Sequence, residues 1–157
     1  MKKLRIYLDT SVISYLLADD APEKMNDTQE LWKLLQQGEY EIIISELTFD
    51  ELKKCENEKR SSLSKYIDLI NYSPVSITNQ QEDLAQKYLE YSVLSTKSID
   101  DLAHIACSVL NDCDYIISWN FKHLVNMKTI NKVNAVNLLL GFREIKIIPP
   151  PMLLGGF

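Results

Sequence analysis

The run Glu41-Ile42-Ile43-Ile44-Ser45 does most to limit what this chain can fold into. A strand with one wet face alternates apolar and polar residues. A strand with an unbroken apolar middle is covered on both faces, as in a parallel sheet between helical layers. Ile6-Tyr7-Leu8 and Tyr115-Ile116-Ile117 are similar short runs. Each of the three is followed by polar residues and then by a segment with a different period.

The intervening segments fit that architecture. Leu4–Leu8 reads as a first strand, followed by a short helix through Val12, Ile13, Tyr15, Leu16 and Leu17. Asp19-Asp20-Ala21-Pro22 breaks it, and a second helix is expected from about Asp27 to Gln36, before Gly38. After the strand at 41–45, a helix carries Leu47, Phe49, Leu52 and Cys55. The charged break Glu56–Arg60 leads to a helix from Ser61 or Ser62 to Ile70. Pro74 is expected to end that segment and Val75-Ser76-Ile77 to form a third strand. A long helix from Thr78 or Asn79 to about Leu94 follows, then one opening at Ser98-Ile99-Asp100-Asp101 and running to Leu110. Asp114–Ser118 is a fourth strand, Trp119–Leu124 a loop with a helical turn, Ile130–Leu140 a helix, and Glu144–Ile148 a last strand. The expected organisation is one domain over 1–148 and a Pro-rich tail over 149–157, with Met152–Phe157 mobile or used in a contact. Strands alternating with helices predict an α/β chain, three layers with a central, mostly parallel, doubly wound sheet. Ligand chemistry then belongs at the carboxyl ends of the strands.

Composition removes several functions. With four glycines in 157 residues, no glycine-rich phosphate loop of the Rossmann or P-loop kind is available. Two histidines and three cysteines without a C-x-x-C pair argue against zinc. The odd cysteines fit a reducing, cytoplasmic setting. No apolar run is long enough for a membrane span, and the start reads as a strand, not a signal peptide. The net charge of −5 excludes a uniformly basic nucleic-acid binder, though not a nucleic-acid enzyme with a local basic face.

The strand-then-helix order makes the acids informative. Asp9 ends the first strand. Glu51 lies six residues past Ser45, Asp101 in the first turn of its helix, and Asn120 just after the fourth strand. Four distant segments thus bring oxygens to one rim. Carboxylates packed together raise one another's pKa, a cost that a hard divalent cation removes, so Mg²⁺ or Mn²⁺ suits such a set.

The pieces IYLDTSVISYLL, IIISELTFDEL, SIDDLAHIACSVL and DYIISWNFKHLVN, in this order and spacing, resemble the PIN-domain family, with the closest likeness to VapC-type toxins and small PIN ribonucleases. The resemblance implies a metal-dependent ribonuclease. For VapC-like members it also implies an antitoxin partner and frequent homodimers. Asp9 matches the first family acid, Glu51 the second (Glu46 and Asp50 match less well) and Asp101 the third. Asn120 replaces the fourth, as in a subgroup of the family. It offers one neutral carbonyl oxygen, so a cation there is held more weakly. The implied substrate is RNA, cut by a metal-activated water in single-stranded or loop regions.

Plainer roles stand beside these. Asp9 can serve the start of the helix near Ser11. Ser98 and Asp101 match a capping box, and Asp100 is the alternative ligand. Glu51 can be a solvated helix residue among Glu46, Asp50 and Glu56. Asn120 can cap the turn at Phe121–Leu124, and Thr10 or Ser11 can cap rather than bind. His104, three residues after Asp101, reads as a partly buried histidine with one hydrogen bond in preference to a catalytic base. Lys122 and His123 can touch phosphate, and Trp119 can stack a base or fill the core. Lys53, Lys54, Lys59, Arg60 and Lys65 read as a solvated face. Two rival functions share the fold. One is a binding module with a weakened site. The other is a phosphate-receiver domain, discounted because the third strand ends without an aspartate.

Overall fold

The structure is a computed structural model that describes residues 2–155. Among these, five strands form one parallel sheet in the order β3-β2-β1-β4-β5. The strands are β1 (Arg5–Leu8), β2 (Glu41–Ser45), β3 (Tyr72–Val75), β4 (Tyr115–Ile117) and β5 (Lys146–Ile148). The helices are α1 (Thr10–Ser14), α2 (Pro22–Leu35), α3 (Glu46–Leu52), α4 (Asn57–Ile67), α5 (Asn79–Glu90), α6 (Ile99–Leu110), α7 (Met127–Leu140) and α8 (Pro150–Leu154). The expected three-layer, doubly wound α/β architecture is therefore the one observed.

The apolar runs explain the layering directly. Successive residues of a strand point to opposite faces. Ile6, Leu8, Ile42, Ile44 and Ile117 join α1, α2, α4 and α8 in one core. Tyr7, Ile43 and Ile116 join α5, α6 and α7 in the other. Ile6, Tyr7 and Leu8 are all completely buried. The chain leaves central β1 toward β2 and β3, then returns to β4 on the other side. In doubly wound sheets such a reversal is where a ligand crevice forms, beyond the carboxyl ends of the two central strands, here β1 and β4.

Three expectations are corrected. The second helix begins at Pro22, not Asp27: proline at the first helical position gives up an N–H that would be unpaired anyway. The charged stretch expected as a break lies mostly inside α4, where Leu63 and Ile67 face the core and the charges face water. The third strand is Tyr72–Val75 and contains Pro74, paired opposite Ile44. Because β3 lies at the sheet edge, the proline forfeits no hydrogen bond to a further strand. Of the two outcomes expected for the end of the chain, a contact is the one seen: Pro150–Leu154 is a helix with Leu153 buried against the core that holds α2; Gly156 and Phe157 lie outside the described residues. No helix among the described residues is long and apolar enough to cross a membrane.

Candidate functional site

Asp9 sits where β1 gives way to α1. Its backbone N–H still pairs with Ile117 O at 3.1 Å, extending the β1–β4 ladder by one rung. This fixes the carboxylate at the crevice, where it is 5% exposed. Two hydroxyls hold Oδ2: Ser11 Oγ donates at 2.7 Å and Ser118 Oγ at 2.8 Å. Asp9 occupies the N-cap position of α1 but makes no side-chain cap bond. Its partners instead tie the ends of β1 and β4 together. Ser11 Oγ also accepts from Trp119 N, and Ser118 Oγ from Asn120 N, each at 3.0 Å.

His104 is the second organiser. It projects from α6 into the interior, 1% exposed, and pairs at both ring nitrogens. Nε2 donates to Glu51 Oε1 at 2.6 Å, and Nδ1 lies 2.5 Å from the Tyr7 hydroxyl. The expected single-bonded, partly buried histidine is thus a fully buried bridge. It links β1, α3 and α6. Its Nε2 is also 4.0 Å from Asp9 Oδ1.

Glu51 is therefore held rather than freely solvated. Burial works to raise its pKa, but the His104 hydrogen bond and charge, with the Thr10 hydroxyl, outweigh that and hold it below the usual carboxylate range. For His104, burial works against the cation, yet the Glu51 hydrogen bond and the negative charges of Asp9, Glu51 and Asp101 push its pKa up. Asp101 is raised by burial and then by the charge of Asp9, against a weaker opposing effect from His123 and His104. Glu46 spends Oε2 on Ile77 N, and Asp50 pairs with Lys53 on the surface.

Asp101 is half-buried in the first turn of α6, whereas its neighbour Asp100 is exposed. Ser98 makes no side-chain cap bond, so the expected capping box is not formed. Asp101 instead accepts from Asn120 Nδ2 at 3.3 Å. Asn120 Oδ1 accepts from His123 N at 2.9 Å, which closes the turn after β4. Asn120 thus both shapes its loop and touches an acid.

The crevice collects Asp9, Glu51, Asp101 and Asn120 from four segments. The acids share a field without closing: among the described residues no three His, Cys, Asp or Glu side chains are grouped to hold a metal ion. Sequence reasoning did not find Ser118 or the Tyr7–His104–Glu51 chain. Ser118, between a strand and Trp119-Asn120, reads only as a strand end. Only the spacing of His104, three residues after Asp101, hinted at a place near the site.

Trp119 is buried, with Nε1 donating to Thr28 Oγ1, which favours the core role. Phe121 is 47% exposed beside it, and Lys24 Nζ lies 5.4–5.6 Å from the rings of Tyr15, Trp119 and Phe121.

The chain is similar in fold to VapBC2 from Rickettsia felis, whose structure was solved bound to a DNA fragment from its promoter. That match has a TM-score of 0.60 and 14% identity, and covers 93% of this chain and 98% of the other. It is also similar to the DNA-bound VapBC from Salmonella typhimurium, with a TM-score of 0.58, 12% identity, and 94% and 98% coverage. No curated protein matches it in sequence. The PIN domain family model matches residues 6–121, from the first residue of the β1 apolar run to the loop after β4, and on that extent the chain belongs to the PIN-domain family.

Proposed function

We propose that this protein is a metal-dependent endoribonuclease, acting on RNA phosphodiesters as the toxin of a toxin–antitoxin pair. PIN domains are generally nucleases, and they generally use divalent metals. The observation that carries the reading is the gathering of Asp9, Glu51, Asp101 and Asn120 in one electrostatic field beyond the carboxyl ends of β1 and β4. The similar folds are toxin–antitoxin complexes, which supports an antitoxin partner.

The donor set suits Mg²⁺ or Mn²⁺. All the oxygens are hard ligands, and Asp101 is raised by burial and then by the charge of Asp9. Asp9, Glu51 and Asp101 would hold the ion, with Asn120 assisting. When bound, it would polarise the phosphodiester and lower the pKa of a water. The chain's own work is positional: two serines fix Asp9, and His104 fixes Glu51. The test is Asp9→Asn. Manganese-dependent cleavage of single-stranded RNA should be lost while the thermal melt stays within a few degrees of wild type. Full cleavage by this variant sinks the assignment.

A second reading is a PIN-like module that binds RNA or protein without turnover. It is favoured by the engagement of Glu51 by His104 and of Asp101 by an amide rather than an oxygen. Undetectable divalent binding by calorimetry selects it.

A further inference from the structure

Beside the acidic crevice lies a cavity of about 650 Å³ with the opposite character. Its walls come from the end of α5 and the turn into α6 (Ser92, Ser95, Thr96) and from the loop and first turns of α7 (Lys122, Lys128, Lys132). In a chain of net charge −5, no acidic side chain lines it. Hydroxyls and ammonium groups supply donors, and Leu89, Val93 and Leu94 supply an apolar wall. Two chain segments run from the cavity's walls to the acidic site. Lys122 follows Asn120 by two residues, in the turn that Asn120 Oδ1 closes. The turn containing Ser95 and Thr96 leads straight into α6, which carries Asp101. Lys132 Nζ donates to Ser92 O at 3.2 Å, pinning one wall to the other.

We infer that this cavity holds the sugar–phosphate backbone of a single-stranded polynucleotide, with Lys122, Lys128 and Lys132 on its phosphates, next to the bond presented to Asp9 and Asp101. The inference rests on the nuclease reading for its direction, since a strand cut at the crevice must pass one of its flanks. Lys128 and Lys132 are one helical turn apart on one face of α7, a rise of roughly 6 Å that suits neighbouring phosphates. The hydroxyls of the facing turn can reach further phosphate oxygens, and the leucine–valine wall suits sugar faces. An acidic peptide would satisfy the lysines but has no need of a track that ends at carboxylates.

The experiment is fluorescence anisotropy in EDTA, where no metal-dependent cleavage competes. Labelled single-stranded RNA and DNA oligomers of one sequence are titrated over a range of salt. The variants are K122A/K128A/K132A, K122A/K128A (which keeps the Lys132–Ser92 tie), and K33A/K59A/K65A as a charge-matched control on helices of the opposite sheet face. Each lost phosphate contact flattens the slope of log K against log salt by about 0.7 for a single strand. The triple variant should lose at least tenfold in affinity and about 2 in slope, the double variant about 1.4, and the control neither. Lysine-dependent binding of either oligomer supports the track and identifies the strand it accepts. An unchanged slope in both cavity variants, an equal loss in the control, or lysine-dependent binding of a polyglutamate peptide with none of either oligomer overturns it. Wild-type protein that binds through these lysines but never cleaves RNA keeps the track and removes the nuclease. Cleavage that survives the triple substitution with unchanged salt dependence does the reverse.

Discussion

His104 Nε2 donates to Glu51 Oε1 at 2.6 Å, joining α6 to α3 beside the central strand. The histidine stands behind the crevice, with its other nitrogen on the buried Tyr7 hydroxyl, so it positions the glutamate rather than meeting solvent.

This pair makes stability depend on pH in a defined window. Glu51 is lowered, so its contribution is present above its ordinary value of 4.5 and is lost as pH falls through the folded value. His104 is raised, so its contribution is full below 6.5 and is lost as pH rises through the folded value. Both are present between these limits. The stability difference between wild type and Glu51→Gln should therefore peak there and shrink on either side. Urea midpoints measured from about pH 3 to about pH 9 check this, and a flat difference contradicts it.

Ser118→Ala should act on both stability and site. Ser118 is fully buried and its hydroxyl serves Asp9 Oδ2 and Asn120 N. Losing both bonds should cost about 2 kcal/mol. With the nuclease reading, cleavage should also fall at least tenfold, because Asp9 loses one of its two fixed partners. A melt and a cleavage assay on one preparation separate the effects.

Asn120→Asp replaces the amide that contacts Asp101 with a second carboxylate. Like charges in contact raise Asp101 further without metal and attract a divalent ion more strongly. Calorimetric titration with Mn²⁺ should show tighter binding, and unchanged affinity takes position 120 out of the site.

Leu153→Ala tests whether the tail belongs to the domain. Leu153 is 2% exposed and packs in the same core as Trp32 and Leu35 of α2. Truncation at a site that cannot collapse should cost about 3 kcal/mol. A cost near zero in urea unfolding would return α8 to the status of an appendage.

The sequence by itself determined the layers, because unbroken isoleucine runs have no wet face to offer and force helices onto both sides of the sheet. It also pointed Asp9, Glu51, Asp101 and Asn120 to one rim, since a helix that follows a strand and a helix that leads into the next one both begin at the sheet's carboxyl edge. It misplaced β3 because a proline is forbidden only in a strand paired on both sides, and edge position is a tertiary fact. It left the tail outside the domain because three prolines carry no sign of where Leu153 will bury. The tertiary structure alone decided what holds the acids: Ser118 reaches Asp9 across 109 residues, and His104 reaches Glu51 across 53. No local pattern encodes such pairings, because a hydroxyl or an imidazole finds its partner only after the sheet has set β1 beside β4 and α6 against the layer beneath.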